Sequence, residues 1–399
     1  MRHFTYIARL LCVLAVILCS IKSFAGTSSD AFALETAYFD SIEVSLLTCS
    51  PHEEIYSLYG HTALRFRDLH TANSRDVVFN WGQFDFNTPH FATRFVFGLT
   101  DYQLGMENMQ MFCEYYKYWG SSVTEQVLNL SSEEKQHVLE ALTENLKPEN
   151  VTYRYNIFHN NCSTLPRDLI ERCINGKINY ETRTGYEPSF REMIHEKTRN
   201  HEWLAFGCDM LLGLKADFKT CRKEQEFLPE NLLYDFDHAR IKGNDGSWRS
   251  LIKERRMPVM PGVQIIERDF PLSPLCCAII LLLLSIVIFA FEWQRRRIYI
   301  FWDVTLMLLT GLAGCVLFVM IFSQHPTTSL NLQLLLVNPF HLFFIPSVIR
   351  RHKTHYWPLL AGMALLFCIG GIWQHYAEGL MILALCLLLR YWTHYKHEK

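Results

Sequence analysis

Polar and apolar positions divide this chain into two unlike parts. Beyond residue 271 the pattern is a series of apolar runs at 272–291, 298–322, 330–349, 357–373 and 377–392. The first is long enough to cross a hydrocarbon core of about 30 Å, and the series predicts five spans. Basic clusters follow the first, third and fifth runs: Arg295-Arg296-Arg297, Arg350-Arg351-His352-Lys353, and Lys396 with Lys399. Clusters of this kind stay in the cytoplasm, which places residues 26 to about 270 on the outer face. Trp293, Trp302, Tyr356, Trp357, Trp373, Tyr376 and Trp392 stand near the run ends, as an interfacial aromatic belt would.

Before residue 271 the period is shorter. Alternation predicts strands at 42–49, 62–68, 75–82, 124–130 and 153–158, and hairpin-like spacing predicts antiparallel pairing of the first three. Ser131-Ser132-Glu133-Glu134 begins a helix to about Asn145. A second helix spans 165–173, with Pro166 tolerated in its first turn. A third starts near Glu187-Pro188-Ser189, and 203–215 is an apolar, Gly-containing stretch. Residues 84–104 are rich in Phe with no clean period, which fits either a buried loop and helix or a surface that meets lipid. Residues 225–265 carry Pro229, Gly243, Gly246, Pro258, Pro261 and Gly262, and are expected to be loop-rich. The expected class is α+β, followed by a helical membrane domain.

At the start, Arg2, His3 and Arg9 precede an apolar core at 10–21, and Ser23-Phe24-Ala25 places small residues at a cleavage position. This is the pattern of a secretory signal peptide cut after Ala25. Lys22 after the apolar run also suits an uncleaved anchor. Leu18 before Cys19 argues against lipidation there. The expected division is 1–25, 26–270 and 271–399.

The net charge of −2 averages two unlike halves and points to no charged partner, nucleic acid included. No ATP or nicotinamide motif is present. Chemistry on the outer face has no ATP, so it needs an already activated donor. Of the 13 cysteines, Cys49, Cys113, Cys162, Cys173, Cys208 and Cys221 fall in the extracytoplasmic part. There is no CxxC pair, so neither a metal nor another cofactor is expected. Cys208 and Cys221 are the expected disulfide pair.

Cys162 has the most chemical promise. It follows the run Tyr153-Arg-Tyr-Asn-Ile-Phe-His-Asn-Asn161 and opens the predicted helix. A helix N-terminus favours thiolate over thiol, and Asn160 and Asn161 are good capping residues. A thiol nucleophile needs a base and a group to orient that base. His61, at the second predicted strand, is the candidate base. A small buried cysteine and a structural histidine would give the same sequence.

Three blocks carry a resemblance: Tyr59-Gly60-His61-Thr62-Ala63-Leu64-Arg65, Phe79-Asn80-Trp81-Gly82-Gln83-Phe84-Asp85-Phe86, and Tyr155-Asn156-Ile157-Phe158-His159-Asn160-Asn161-Cys162-Ser163-Thr164 with Arg167-Asp168. The order of His on a strand, then Asn-Cys at a helix start, resembles the permuted papain-like group that includes lecithin:retinol acyltransferase. More closely, the blocks resemble the Bacteroides-type lipoprotein N-acyltransferases (Lnb). Asn338-Pro339-Phe340-His341 is similar to the membrane part of that family.

The resemblance implies a permuted papain-like catalytic domain on the periplasmic face of the inner membrane. It implies Cys162 as nucleophile and His61 as base, a phospholipid acyl donor and a diacylated lipoprotein acceptor. The orienting group stays open among Glu54, Asn80 and Asp85, while Asn161, Arg65 and Arg167 are candidates for positioning or phosphate binding. A membrane-anchored cysteine amidase or peptidase, or a non-catalytic binding protein, are the rival expectations. Asn338 and His341 suit either a functional role within the membrane or a cap on a helix broken at Pro339.

Overall fold

The structure is a computed structural model that describes residues 38–70, 75–85, 87–264, 270–351 and 356–398. The expected signal peptide lies outside the described residues, as do Phe86, His352, Lys353 and Lys399.

Among the described residues there are ten strands: β1 (Ile42–Cys49), β2 (His61–Asp68), β3 (Asp76–Gln83), β4 (Asp101–Asn108), β5 (Val123–Leu128), β6 (Thr152–Arg154), β7 (Lys177–Asn179), β8 (Arg240–Lys242), β9 (Trp248–Ser250) and β10 (Ile252–Val259). Seven form one sheet in the order β10-β5-β1-β2-β3-β4-β6, with every pairing antiparallel. β7, β8 and β9 form a second, small sheet.

Alternation along the strands sends side chains to two faces. On one, Val44, Leu46, Leu64, Phe79, Trp81 and Leu104 form a core with Val138, Leu142, Leu169, Ile170, Leu232 and Phe236. These come from the helices Ser132–Asn145, Thr164–Cys173 and Pro229–His238. On the other face, Leu47, Cys49, Ala63 and Val78 meet Met109, Phe112 and Tyr116 of the helix Met109–Tyr118. The capping boxes expected from sequence are present, Ser131 with Glu134 and Ser189 with Glu192.

Three expectations are corrected, and the open reading of the Phe-rich stretch gains a helix. The alternating run 153–158 is a strand only through Arg154. Beyond it Asn156 Oδ1 accepts from the amides of Phe158 and His159, and this local turn displaces the ladder. Residues 225–265 are not loop-rich: Pro229 opens a helix at its first position, where its missing N–H costs nothing, and β8, β9 and β10 follow. The Phe-rich stretch holds a short helix, Phe91–Val96, and runs into β4. Cys208 and Cys221 are not bonded to each other: Cys208 lies against the Tyr59 hydroxyl at 4.0 Å and Cys221 is exposed.

Beyond residue 273 the described residues form five helical segments. Three are long and apolar enough to cross a membrane, Pro274–Arg295, Ile300–Met320 and Leu332–Ile349. Tyr356–Gly370 is apolar but shorter, and the last helix, Leu380–Glu398, carries Arg390. Arg390 is buried because it grips Glu292 at 2.7 Å and Asp303 at 2.6 Å, carboxylates of the first two helices. The third segment breaks at Asn338-Pro339, but Pro339 rather than Asn338 stands at the start of the following helix, and Asn338 Nδ2 donates back to the carbonyls of Leu335 and Leu336. His341 then bonds Thr310 and Tyr391, both at 2.7 Å.

Two seams join the parts. Asn331 and Gln333 donate to the carbonyls of Met210 and Asp209 at 2.8 Å, and the amides of Gly213 and Leu214 donate to Thr327 and Leu330. A side chain at Gly213 would stand 2.2 Å from the Leu330 carbonyl oxygen, so only glycine permits that approach. At the second seam, Gln324 N donates to Phe97 O at 3.0 Å, and His325 Nε2 to Phe95 O at 3.1 Å.

Candidate active site

His61 is the first residue of β2, opposite Cys49. Gly60 turns the chain into it at φ 76°, and a Cβ there would lie 2.8 Å from the Cys49 carbonyl oxygen. Cys162 arrives from another direction. Asn161 is buried, its Oδ1 accepts from the amides of Ser163 and Thr164 at 2.9 Å, and its Nδ2 holds the carbonyls of Ile157 and Phe227. Asn161 therefore caps the helix and fixes the turn that presents Cys162. The two side chains meet over β3: a Cβ on Gly82 would stand 3.5 Å from His61 Cε1 and 4.0 Å from Cys162 Cβ. That space stays open because residue 82 is glycine.

Asn80 shares a sheet face with His61, and the two bond between His61 Nε2 and Asn80 Oδ1 at 2.6 Å. Asn80 Nδ2 donates to Glu107 Oε1 on β4 at 3.0 Å. The carboxylate can only accept, which settles the orientation of the Asn80 amide. Its oxygen then faces His61, so Nε2 carries the hydrogen. Nδ1 is left as the basic nitrogen for Cys162. The chain Glu107–Asn80–His61 thus sets the tautomer that a base for the thiol requires.

The titration of the pair follows. Burial alone would raise the Cys162 pKa, but the charge and hydrogen bond of His61, with the amides of Thr62 and Cys162, outweigh it and bring the thiol below its ordinary value. Burial alone would lower His61, but Cys162, then Asn80 and Glu107, raise it above its ordinary value. Both shifts favour thiolate and imidazolium. Cys162 is half-buried, so the sulfur is not sealed away.

The other candidates lie elsewhere. Arg65 is buried between Asp76, at 2.5 Å, and Glu125, at 2.8 Å. Arg167 is buried against Asp168, at 2.9 Å, and Glu226, at 3.2 Å. Both are structural ion pairs. Asp85 accepts from Asn87 in a turn. Glu54 bonds the hydroxyls of Tyr56 and Tyr115 and lies 3.9 Å from His52. Glu107 is the residue that sequence reasoning missed. It reaches Asn80 only through the β3–β4 pairing, which the unperiodic Phe-rich stretch conceals.

If Asn80 orients the base, Asn80→Ala should lower activity about 10- to 100-fold, the scale of a misplacement near 1 Å. The Cys162 alkylation rate against pH should change as well, which a purely structural role would not cause. Asn80→Asp, which keeps an acceptor toward Nε2 but meets Glu107 with a like charge, should recover part of the loss as pH falls.

The family model for the Lnb N-terminal periplasmic domain matches residues 28–196, and that for the Lnb transmembrane domain matches residues 265–399. No curated protein and no solved structure matches the chain.

Proposed function

Since the chain belongs to the Lnb family in its periplasmic and its transmembrane domain alike, we propose that it is a lipoprotein N-acyltransferase. It moves an acyl chain from a phospholipid, by way of a Cys162 thioester, to the α-amine of a diacylglyceryl-cysteine lipoprotein. The observation that carries this reading is the Cys162–His61–Asn80 constellation within the matched periplasmic domain.

The steps balance as follows. His61 Nδ1 takes the thiol proton and the sulfur attacks the ester carbonyl. The backbone N–H of Cys162, at the start of its helix, is the nearest fixed donor for the oxyanion. The carbon–oxygen bond breaks, the glycerol oxygen takes the proton from His61, and lysophospholipid leaves. The free amine then attacks the thioester and gives a proton to His61. The carbon–sulfur bond breaks, and the thiolate recovers its partner. A thioester is reactive enough to acylate an amine without ATP. The inner membrane supplies both substrates beside the site, and five membrane passes would keep them there.

Purified full-length protein mixed with phosphatidylethanolamine should gain the mass of one acyl chain on the Cys162 peptide, and hydroxylamine should remove it. A diacylated lipopeptide should discharge it and become triacylated. Absence of any adduct, or an adduct of peptide mass from cell-wall fragments, would overturn the reading.

A further inference from the structure

Five aromatic rings form a circuit of contacts, and two of them, Tyr102 and Tyr155, lie within the field of the thiol. Tyr155 and Tyr102 stack at 4.2 Å, Tyr102 and Phe84 at 4.8 Å, Phe84 and Phe91 at 5.6 Å, Phe91 and Phe95 at 6.3 Å, and Phe95 returns to Tyr155 at 6.5 Å. Neighbouring planes differ by only 17° to 24°. At the shortest of these separations the rings lie face to face, so the circuit closes into an apolar panel of stacked rings. Its rings come from β4, the loop after β3, the Phe91–Val96 helix and the residue after β6. Tyr102 within the circuit is buried, 8% exposed, whereas Phe95 is 41% exposed.

We propose that this panel is the binding surface for the acyl chain of the donor lipid, from the thioester carbon outward. The inference rests on the acyltransferase reading and names the subsite that holds the transferred group. Its near edge lies at the nucleophile. Phe84 is two residues beyond Gly82, over which Cys162 and His61 meet. Tyr102 and Tyr155 lie within the field of the Cys162 sulfur and both phenols are held neutral: burial first and then that charge push Tyr102 up to about 12, and burial, then Tyr102, then Cys162 raise Tyr155 well above its ordinary value. Neutral rings do not compete for a proton and leave the panel apolar.

The far edge lies at the membrane part. The Phe95 carbonyl accepts from His325, whose ring is 6.4 Å from that of Phe95, and the Phe97 carbonyl accepts from Gln324. This loop follows Ile300–Met320, a helix long and apolar enough to span. The panel is therefore continuous from the thiol to the end of a membrane helix. An occupant with one end at a thioester and the other directed to hydrocarbon is a long, unbranched aliphatic chain, for which flat parallel rings offer unbroken contact. A hollow of about 330 Å³ bordered by His52, Glu196, Lys197 and Arg199 has the wrong chemistry for it and does not border Cys162.

The test uses wild-type full-length protein and phosphatidylethanolamine with a diazirine near the end of a palmitoyl chain. After acyl-enzyme forms, light should join the chain on the Cys162 peptide to residues 84–97, Tyr102 or Tyr155. An acyl-enzyme whose cross-links fall only within 274–398 would overturn the panel and leave the acyltransferase reading standing. If no acyl-enzyme forms, both fall.

A second measurement offers an equimolar mixture of 12-, 14-, 16- and 18-carbon donors. Phe95→Ala should lower the ratio of 16- to 12-carbon acyl-enzyme about tenfold, the change expected if the ring covers about two methylenes. Phe218→Ala, at an exposed phenylalanine remote in sequence from the panel, should leave the ratio as it is. An unchanged ratio in Phe95→Ala, with its thermal unfolding intact, would overturn the inference.

Discussion

Alanine at position 162 should reduce lipoprotein N-acylation to below about 10⁻⁴ of the parent rate, since a covalent route has no substitute for its nucleophile. The fold should survive. Cys162 is only half-buried, and the turn around it is held by Asn161 rather than by the thiol. Thermal unfolding of the variant should therefore match the parent, and mass spectrometry of cellular lipoproteins should find the diacylated form alone. Serine at the same position is more informative. Its hydroxyl is far harder to deprotonate than the thiol. Any acyl group it does accept is held as an oxygen ester, a poor donor to an amine. Cys162→Ser should thus show little adduct, and what adduct forms should resist discharge by lipopeptide. Triacylation in either variant above about 1% of the parent would sink the proposed mechanism, which assigns the whole rate to this sulfur.

The second large effect belongs to His61. His61→Ala removes the proton acceptor and should cost about 10²- to 10⁴-fold in acyl-enzyme formation. It also has a signature apart from activity. The Cys162 thiol is held below its ordinary value chiefly because His61 outweighs burial. Without the imidazole, burial, the largest influence, is opposed only by the amides of Thr62 and Cys162 and pushes the thiol up. Thiolate is the form that reacts with iodoacetamide. The pH midpoint of Cys162 alkylation should lie below that of a free thiol in the parent and above it in His61→Ala. His61→Gln, which keeps a polar group but no titrating base, should behave like alanine. An unmoved midpoint would mean that the two residues do not share a proton.

Much of the architecture is legible along the chain, and the misses have local causes. β1, β2, β3 and β5 show through polar and apolar alternation and β-branched residues, although helices cover both faces of the sheet and β1 and β5 are buried almost throughout. The helix at Ser132–Asn145 shows through its capping box. β4 alternates too, with Tyr102, Leu104 and Met106 on one face, but it runs straight out of the Phe-rich stretch, whose irregular pattern hides where it begins. The run 153–158 alternates and yet is mostly turn, since Asn156 and Asn160 bond local backbone instead of a neighbouring strand. Residues 225–265 look broken by Pro and Gly. Pro229 in fact begins a helix, and short strands flank the turn made by Gly243 and Gly246.

The site is legible to a lesser degree. The blocks around His61 and Cys162 stand out, and Asn80 lies inside one of them, but nothing local ranks it above Glu54 or Asp85. Selection among the three comes from register. β2 and β3 place His61 and Asn80 on one face, while Asp85 is spent in a turn and Glu54 on tyrosine hydroxyls. Arg65 and Arg167 resemble phosphate ligands until their carboxylate partners are known.

The sequence by itself determined the two-part plan, the apolar runs and the candidate nucleophile and base. These depend on segment length, periodicity and capping, which act between near neighbours in the chain. Only the tertiary structure decided that Cys162 meets His61 over Gly82, that Asn80 and Glu107 set the tautomer, and that five rings form one panel toward the membrane. Those contacts join residues far apart in sequence. They arise from strand pairing and helix packing, which no single stretch encodes.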